Sequence, residues 1–145
     1  MLASLKPEEM IQYCNEDPCH KKLGVVGDRV GKKEAVCHLD IEPWHLNIEK
    51  VIHGGILSLL MDTTLGFSVY PHLEVDERIL AIDLKINFIK AATLETEKLL
   101  CRAQLVSRTR RLAVSEGELL SPTGEILCKA IGTFAILKKR EPKND

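Results

Sequence analysis

The sequence has no excess of charge of either sign. Lys and Arg total 20 against 21 Asp and Glu, a formal net charge of −1 at pH 7. Nucleic acid and anionic membranes recruit proteins through a strong positive field, so neither is expected as a partner. No apolar run approaches the roughly 18 residues of a spanning helix. The first nine residues hold one Lys and then Pro7, Glu8 and Glu9, without the apolar stretch of a secretory signal. The five cysteines, Cys14, Cys19, Cys37, Cys101 and Cys128, are odd in number and include no C-x-x-C pair. That pattern argues for free thiols in a reducing compartment, read as small buried hydrophobes, and a cytoplasmic location fits. Cys14, Cys19 and His20 with Cys37 and His38 lack paired ligand spacing, so no metal site is expected. The other histidines, His45 and His72, are scattered. There is no G-x-S-x-G, hence no sign of an α/β-hydrolase triad. Repeats, low-complexity tracts and linkers are also missing. A chain of 145 residues is one domain's length, read as residues 1–145, and buries about 68% of its unfolded surface without staples.

What is present is an ordered series of elements. Residues 7–14 read as a short helix, with Pro7 at its start and two acids in the first turn. Residues 34–41 alternate imperfectly and read as a strand. Residues 43–52 form a loop carrying the only Trp, Trp44, expected to pack over the start of the next helix. From Gly54 to Val69 the sequence is apolar nearly all round, which predicts a buried helix. Four strands follow, near 79–90, 94–106, 111–120 and 125–137. Ser121-Pro122-Thr123-Gly124 suits a type I turn between the last two. Short connections argue for an antiparallel meander, and residues 138–145 for a charged, solvated tail. The fold class is therefore α+β, one long helix covered by an antiparallel sheet.

Two features of the helix bear on function. Gly54-Gly55 at its start leaves backbone N–H groups unshielded where four lack intrahelical partners and the dipole adds positive potential. Such a point can hold a developing oxyanion, or it can be a tight turn that needs glycine. Asp62 lies among Leu59, Leu60, Met61 and Leu65. A carboxylate there is either bonded to Thr63, Thr64 or nearby backbone, or it is a base or nucleophile with a raised pKa.

Gly55 and Asp62 are seven positions apart, about 10.5 Å along a helix axis. One helix cannot bring both to one carbonyl. Two helices packed antiparallel about a two-fold axis can, with Gly55 of one facing Asp62 of the other, twice per dimer.

Asn47, then His53-Gly54-Gly55 and Asp62 within HGGILSLLMDTTLGFSVY (53–70), together with IDLKINFIKAA (82–92), RRLAVSEGEL (110–119) and GEILCKAIGTFAIL (124–137), resemble the hotdog-fold acyl-CoA thioesterases. The group is the one typified by the phenylacetate-pathway enzyme PaaI and its animal relatives. The resemblance implies a long central helix wrapped by a curved antiparallel sheet, and homodimers pairing into homotetramers. It implies hydrolysis of an acyl-CoA thioester with no cofactor, CoA being part of the substrate. By residue, it implies that the Gly55 N–H polarises the carbonyl and that the partner chain's Asp62 activates water or attacks. Asn47 places water or carbonyl, and His53 supports the loop. Gly54, Ala81 and Asp83 join the substrate contacts. Phe88, Lys90, Ala91, Ala92 and Thr93 with Arg108, Arg110 and Arg111 are implied along the CoA channel, the arginines being suited to phosphates or to a solvated basic turn. Some relatives carry a hydroxyl facing the acid near the start of the strand after the helix. Leu80 and Ala81 stand there in this chain, and Thr63 is the nearest substitute. Leu57, Met61 and Phe88 are candidates for an acyl tunnel or for core.

A non-catalytic acyl-CoA-binding or sensing module on the same fold is the competing function. A binder has no use for an uncompensated carboxylate beside the thioester. A dehydratase is disfavoured, since the helix's acid lies nine residues past His53.

Overall fold

A helix that is apolar on nearly every side has to be covered, and the covering sheet is the rest of the domain. The computed structural model describes residues 2–138. Two short helices, α1 (Pro7–Glu16) and α2 (Pro18–Leu23), precede strands β1 (Val25–Val30) and β2 (Ala35–Asp40). Then come the long helix α3 (Gly54–Val69) and strands β3 (Glu77–Phe88), β4 (Lys98–Arg108), β5 (Leu112–Leu120) and β6 (Ile126–Lys138). The six strands form one sheet in the order β1-β2-β4-β5-β6-β3, every neighbouring pair antiparallel. This is the α+β architecture expected, one long helix on a six-stranded antiparallel sheet.

The core lies between α3 and the sheet. Leu60, Met61 and Leu65 of α3 meet Leu39, Leu99, Leu119 and Leu127 from the strands, all fully buried. The polar groups of α3 inside this core are satisfied locally. Thr64 Oγ1 donates to the Leu60 carbonyl at 2.7 Å, and Ser68 Oγ lies 2.7 Å from the Leu65 carbonyl and 2.6 Å from Ser115 Oγ. These bonds remove the penalty that burial would otherwise impose.

Three expectations need correction. The region before α3 holds a second helix and a second strand that the sequence reading lacked. Asp17 caps the new helix: its Oδ1 accepts from Cys19 N at 2.8 Å and His20 N at 3.0 Å. The strands after α3 are not a simple meander. Only β4-β5-β6 are consecutive neighbours, while β3 crosses to pair with β6, Glu77 opposite Lys138 and Phe88 opposite Cys128. Lys138 therefore belongs to β6 and pairs with Asp76 at 3.2 Å rather than starting a tail. The rest of the expected tail, residues 139–145, lies outside the described residues. Finally, Trp44 does not cover the helix start. It is 51% exposed, its ring tilted at 52° against His45 with centroids 4.0 Å apart, its indole N–H donating to Glu42.

Four of the five free cysteines are buried as expected; Cys19 is exposed. Burial pushes the Cys128 thiol up to about 11 and that of Cys101 higher still, which leaves them inert as nucleophiles. Among the described residues, no group of three or more His, Cys, Asp or Glu is placed to hold a metal ion, and no helix is long and apolar enough to cross a membrane.

Candidate active site

The loop before α3 is built to present its N-terminus. Asn47 Oδ1 accepts from Glu49 N at 2.9 Å and Val51 N at 3.3 Å, which closes the loop and fixes the amide plane. Ile52 N donates to the Ala92 carbonyl at 2.8 Å, tying this loop to the segment after β3. His45, buried, anchors it through Nδ1 to Glu42 N at 2.9 Å and Nε2 to the Leu23 carbonyl at 3.2 Å.

His53 then caps α3. Its Nδ1 accepts from Gly55 N at 3.0 Å. A Cβ on Gly55 would stand 3.2 Å from that nitrogen, so glycine is what lets the ring lie so close. The Gly55 N–H is thus not bare, as the sequence suggested. The Gly54 N–H has no acceptor among the described residues, and the exposed Phe88 ring lies where a Gly54 Cβ would meet it at 3.4 Å.

Asp62 sits elsewhere. Its helix is buried, but its own face is exposed in the protomer. It borders a cavity of about 370 Å³ between α1, α2, α3 and β3. Neighbouring residues do not absorb it. Thr63 Oγ1 is 3.1 Å from His20 Nε2 and Thr64 bonds Leu60. Asp62 makes no hydrogen bond or ion pair among the described residues. Protein around the cavity desolvates the carboxyl enough to raise its pKa above the ordinary value.

The expected site residues fall into separate groups within one protomer. Ala81 borders the Asp62 cavity with Leu80. Asn47, His53, Gly54, Gly55 and Phe88 cluster at the other end of α3. Ala92 is buried, and Thr93 caps the turn that follows, its Oγ1 accepting from Glu95 N at 3.3 Å. Lys90 pairs with Glu125. Ala91 and Asp83 are exposed, Asp83 lying opposite Thr133 on β3. Leu57 and Met61, weighed as tunnel lining, are buried core, Met61 Sδ lying 3.3 Å from Cys101 Sγ. The three arginines sit at the opposite end of β3 from Lys90, roughly 35 Å away at about 3.3 Å per residue.

Arg108 is not free for phosphate. It pairs with the buried carboxylate of Glu77. Burial raises the Glu77 pKa, but the Glu74 N–H and the guanidinium outweigh it and hold the carboxyl below its ordinary value. Arg108→Ala strands that carboxylate and is expected to cost about 3–5 kcal/mol in urea unfolding at pH 7. A depressed carboxylate stabilises above its unfolded pKa and loses that effect as pH falls through its folded pKa. The gap between wild type and variant should therefore close below about the ordinary carboxylate value. Arg110 and Arg111, in the turn between β4 and β5, remain exposed.

Sequence reasoning missed the walls contributed by Tyr13 and His20. The available signal was Asp17-Pro18, which reads as a cap and first residue of a new helix as readily as a stop.

The comparisons match this architecture. The thioesterase superfamily pattern matches residues 49–128. A protein of Archaeoglobus fulgidus provisionally named an esterase is 33% identical over 89 residues, 61% of this chain and 55% of that protein, so the chain spans about half the length of this relative. A conserved protein of Pseudomonas aeruginosa of known structure is 29% identical with a TM-score of 0.76, covering 83% of this chain and 94% of that one. A thioesterase of Haemophilus influenzae superposes with a TM-score of 0.81 at 17% identity, covering 97% and 96%. A variant of the phenylacetic acid degradation protein PaaI from Thermus thermophilus gives 0.73 at 23%, covering 83% and 100%. These last two share the fold. With the family pattern covering more than half of the sequence, and the helix and sheet arranged as described, the chain belongs to the thioesterase superfamily.

Proposed function

We propose that the chain hydrolyses an acyl-CoA thioester at a site shared by two protomers. The observation that carries this reading is Asp62: a carboxylate that faces a cavity, makes no hydrogen bond or ion pair among the described residues, and has its pKa raised by desolvation. A carboxyl tuned upward is a better general base near neutral pH. In the proposed reaction Asp62 takes a proton from water, and the water oxygen attacks the thioester carbonyl. The negative charge that develops on the carbonyl oxygen is held by the N–H groups at the start of the partner's α3. Gly54 N–H is available, and Gly55 N–H is released when His53 turns aside, exchanging a neutral bond for a charge-assisted one. The tetrahedral centre collapses, the C–S bond breaks, and Asp62 returns its proton to the leaving thiolate. The products are a carboxylic acid and CoA. Direct attack by Asp62 gives the same products through an anhydride.

The dimer is part of the proposal. β3 is an edge strand, and its Leu80, Ile82 and Phe88 are 60%, 56% and 57% exposed. Long apolar edges of this kind are normally paired. Antiparallel pairing of two β3 strands about a two-fold axis would lay the Gly54 end of one α3 against Asp62 of the other. It would also bring Lys90 of one chain toward Arg110 and Arg111 of its mate, a cationic path for CoA phosphates. Pairing of dimers into tetramers belongs to the same reading.

The test is thiol release from acetyl-, hexanoyl-, phenylacetyl- and palmitoyl-CoA. Hydrolysis of at least one, dependent on Asp62, is expected. Binding of all without release would favour the acyl-CoA-binding module.

A further inference from the structure

Gly66 is a residue that stability does not explain. It lies in the last turn of α3, where glycine is less favourable than alanine. Close packing does not require it: a Cβ there would meet nothing nearer than Ile79 Cδ1 and Phe134 Cε1, both at 3.8 Å. What the missing side chain does is leave room. Gly66 is one helical turn beyond Asp62, on the same face, and borders the same cavity of about 370 Å³.

That cavity has the character of a binding pocket. Its volume falls in the range for small-molecule sites. Phe67, Tyr70, Ile79, Leu80 and Phe134 supply apolar lining. His20, Phe67 and Tyr70 form a tilted aromatic row with centroid spacings of 6.5 and 5.9 Å. The outer wall is held in place. His20 Nδ1 bonds the Cys14 carbonyl at 2.9 Å and its Nε2 bonds Thr63. Asn15 Oδ1 accepts from Gly27 N at 2.7 Å, fastening α1 to β1. Tyr13 and His20 come from helices that precede the stretch matched by the family pattern.

We infer that this cavity seats the acyl tail of the substrate, with Gly66 as its floor and α1–α2 as its outer wall. The inference rests on the hydrolase reading, which places the thioester carbon beside Asp62. The tail bonded to that carbon then has this void next to it. Benzene fits a cavity of about 150 Å³, so a pocket of about 370 Å³ has room for an apolar tail of a single ring or a chain of six carbons or more.

The test compares kcat/KM for hexanoyl-CoA and phenylacetyl-CoA with that for acetyl-CoA, in wild type, Gly66→Ala and Gly66→Val. A methylene-sized change in an apolar pocket shifts discrimination by roughly tenfold or more. The hexanoyl-to-acetyl ratio should therefore fall at least about tenfold in Gly66→Val, and by a smaller factor in Gly66→Ala, whose Cβ the fold accommodates. If the valine variant fails to fold, the alanine variant still decides. An unchanged ratio in the folded variants places the tail elsewhere and overturns the inference. Calorimetric titration of Asp62→Asn with CoA and hexanoyl-CoA, with and without Gly66→Val, separates the two claims. Tighter binding of hexanoyl-CoA that Gly66→Val abolishes supports the pocket even where no thioester is cleaved, and then only the hydrolase reading fails. No advantage of hexanoyl-CoA over CoA, or one insensitive to Gly66, overturns the pocket.

Discussion

Asp62→Asn is expected to lower kcat by about 10²–10⁴, the usual worth of a positioned base, with acyl-CoA binding retained. The loss would not reflect misfolding. Asp62 is exposed in the protomer and makes no hydrogen bond or ion pair among the described residues, so asparagine breaks nothing. The pH dependence gives a second readout. A base works only when deprotonated, so wild-type kcat should fall toward acid through a pKa above the ordinary carboxylate value, because the protein around the cavity partly desolvates the carboxyl. The residual activity of the variant should lack that limb. For stability the sign is reversed from a salt-bridged acid. A carboxyl whose folded pKa is raised favours the fold below its unfolded pKa and loses that effect as pH rises through the folded value. At pH 7 the melting temperature of Asp62→Asn should therefore equal or exceed that of wild type. A clear destabilisation would mean the carboxylate serves the fold instead.

The second large effect is expected from Ile82→Lys. Ile82 lies mid-strand on the free edge of β3, 56% exposed, and lysine on an edge opposes strand pairing. Light scattering should report monomers, and far-UV circular dichroism an intact fold. Turnover should drop by roughly 10²–10³, the cost of losing an oxyanion donor, because the glycine end of the partner's α3 is gone. A monomer with wild-type kcat would show that one protomer carries a complete site.

How much of this could be read before the structure depended on the range of the forces involved. α3 announced itself because an apolar run from Ile56 to Val69 can only be buried. Leu84 and Ile86 alternate against Lys85 and Asn87, so β3 was visible. What local pattern cannot reveal is which strands become neighbours. The pairing of β3 with β6 is decided by how the sheet closes over α3, not by any turn sequence. Arg108 shows the same gap. Its partner Glu77 is 31 residues earlier in sequence, and nothing near Arg108 hints that its charge is already committed. Asp62 was misjudged in the opposite direction. Its apolar neighbours in sequence suggested burial, yet they point into the core while Asp62 faces the cavity, a distinction set by helical phase. The Gly-Gly pair does open α3, but the Gly55 N–H is not bare, since its cap comes from His53, two residues away.

Subunit complementation tests the shared site most directly. Asp62→Asn removes the base, and Gly55→Pro removes an N–H of the first turn of α3, where no intrahelical hydrogen bond is lost, and pushes aside the His53 ring that caps it. Each variant alone should be nearly inactive. After co-refolding at equal amounts, half of the dimers are mixed, and each mixed dimer holds one site with both groups intact. Recovery of roughly a quarter of wild-type turnover is predicted from that two-fold counting. Mixed dimers that form, yet show no more activity than either parent, would contradict the account, because Asp62 and the glycine N–H would then belong to the same chain's site.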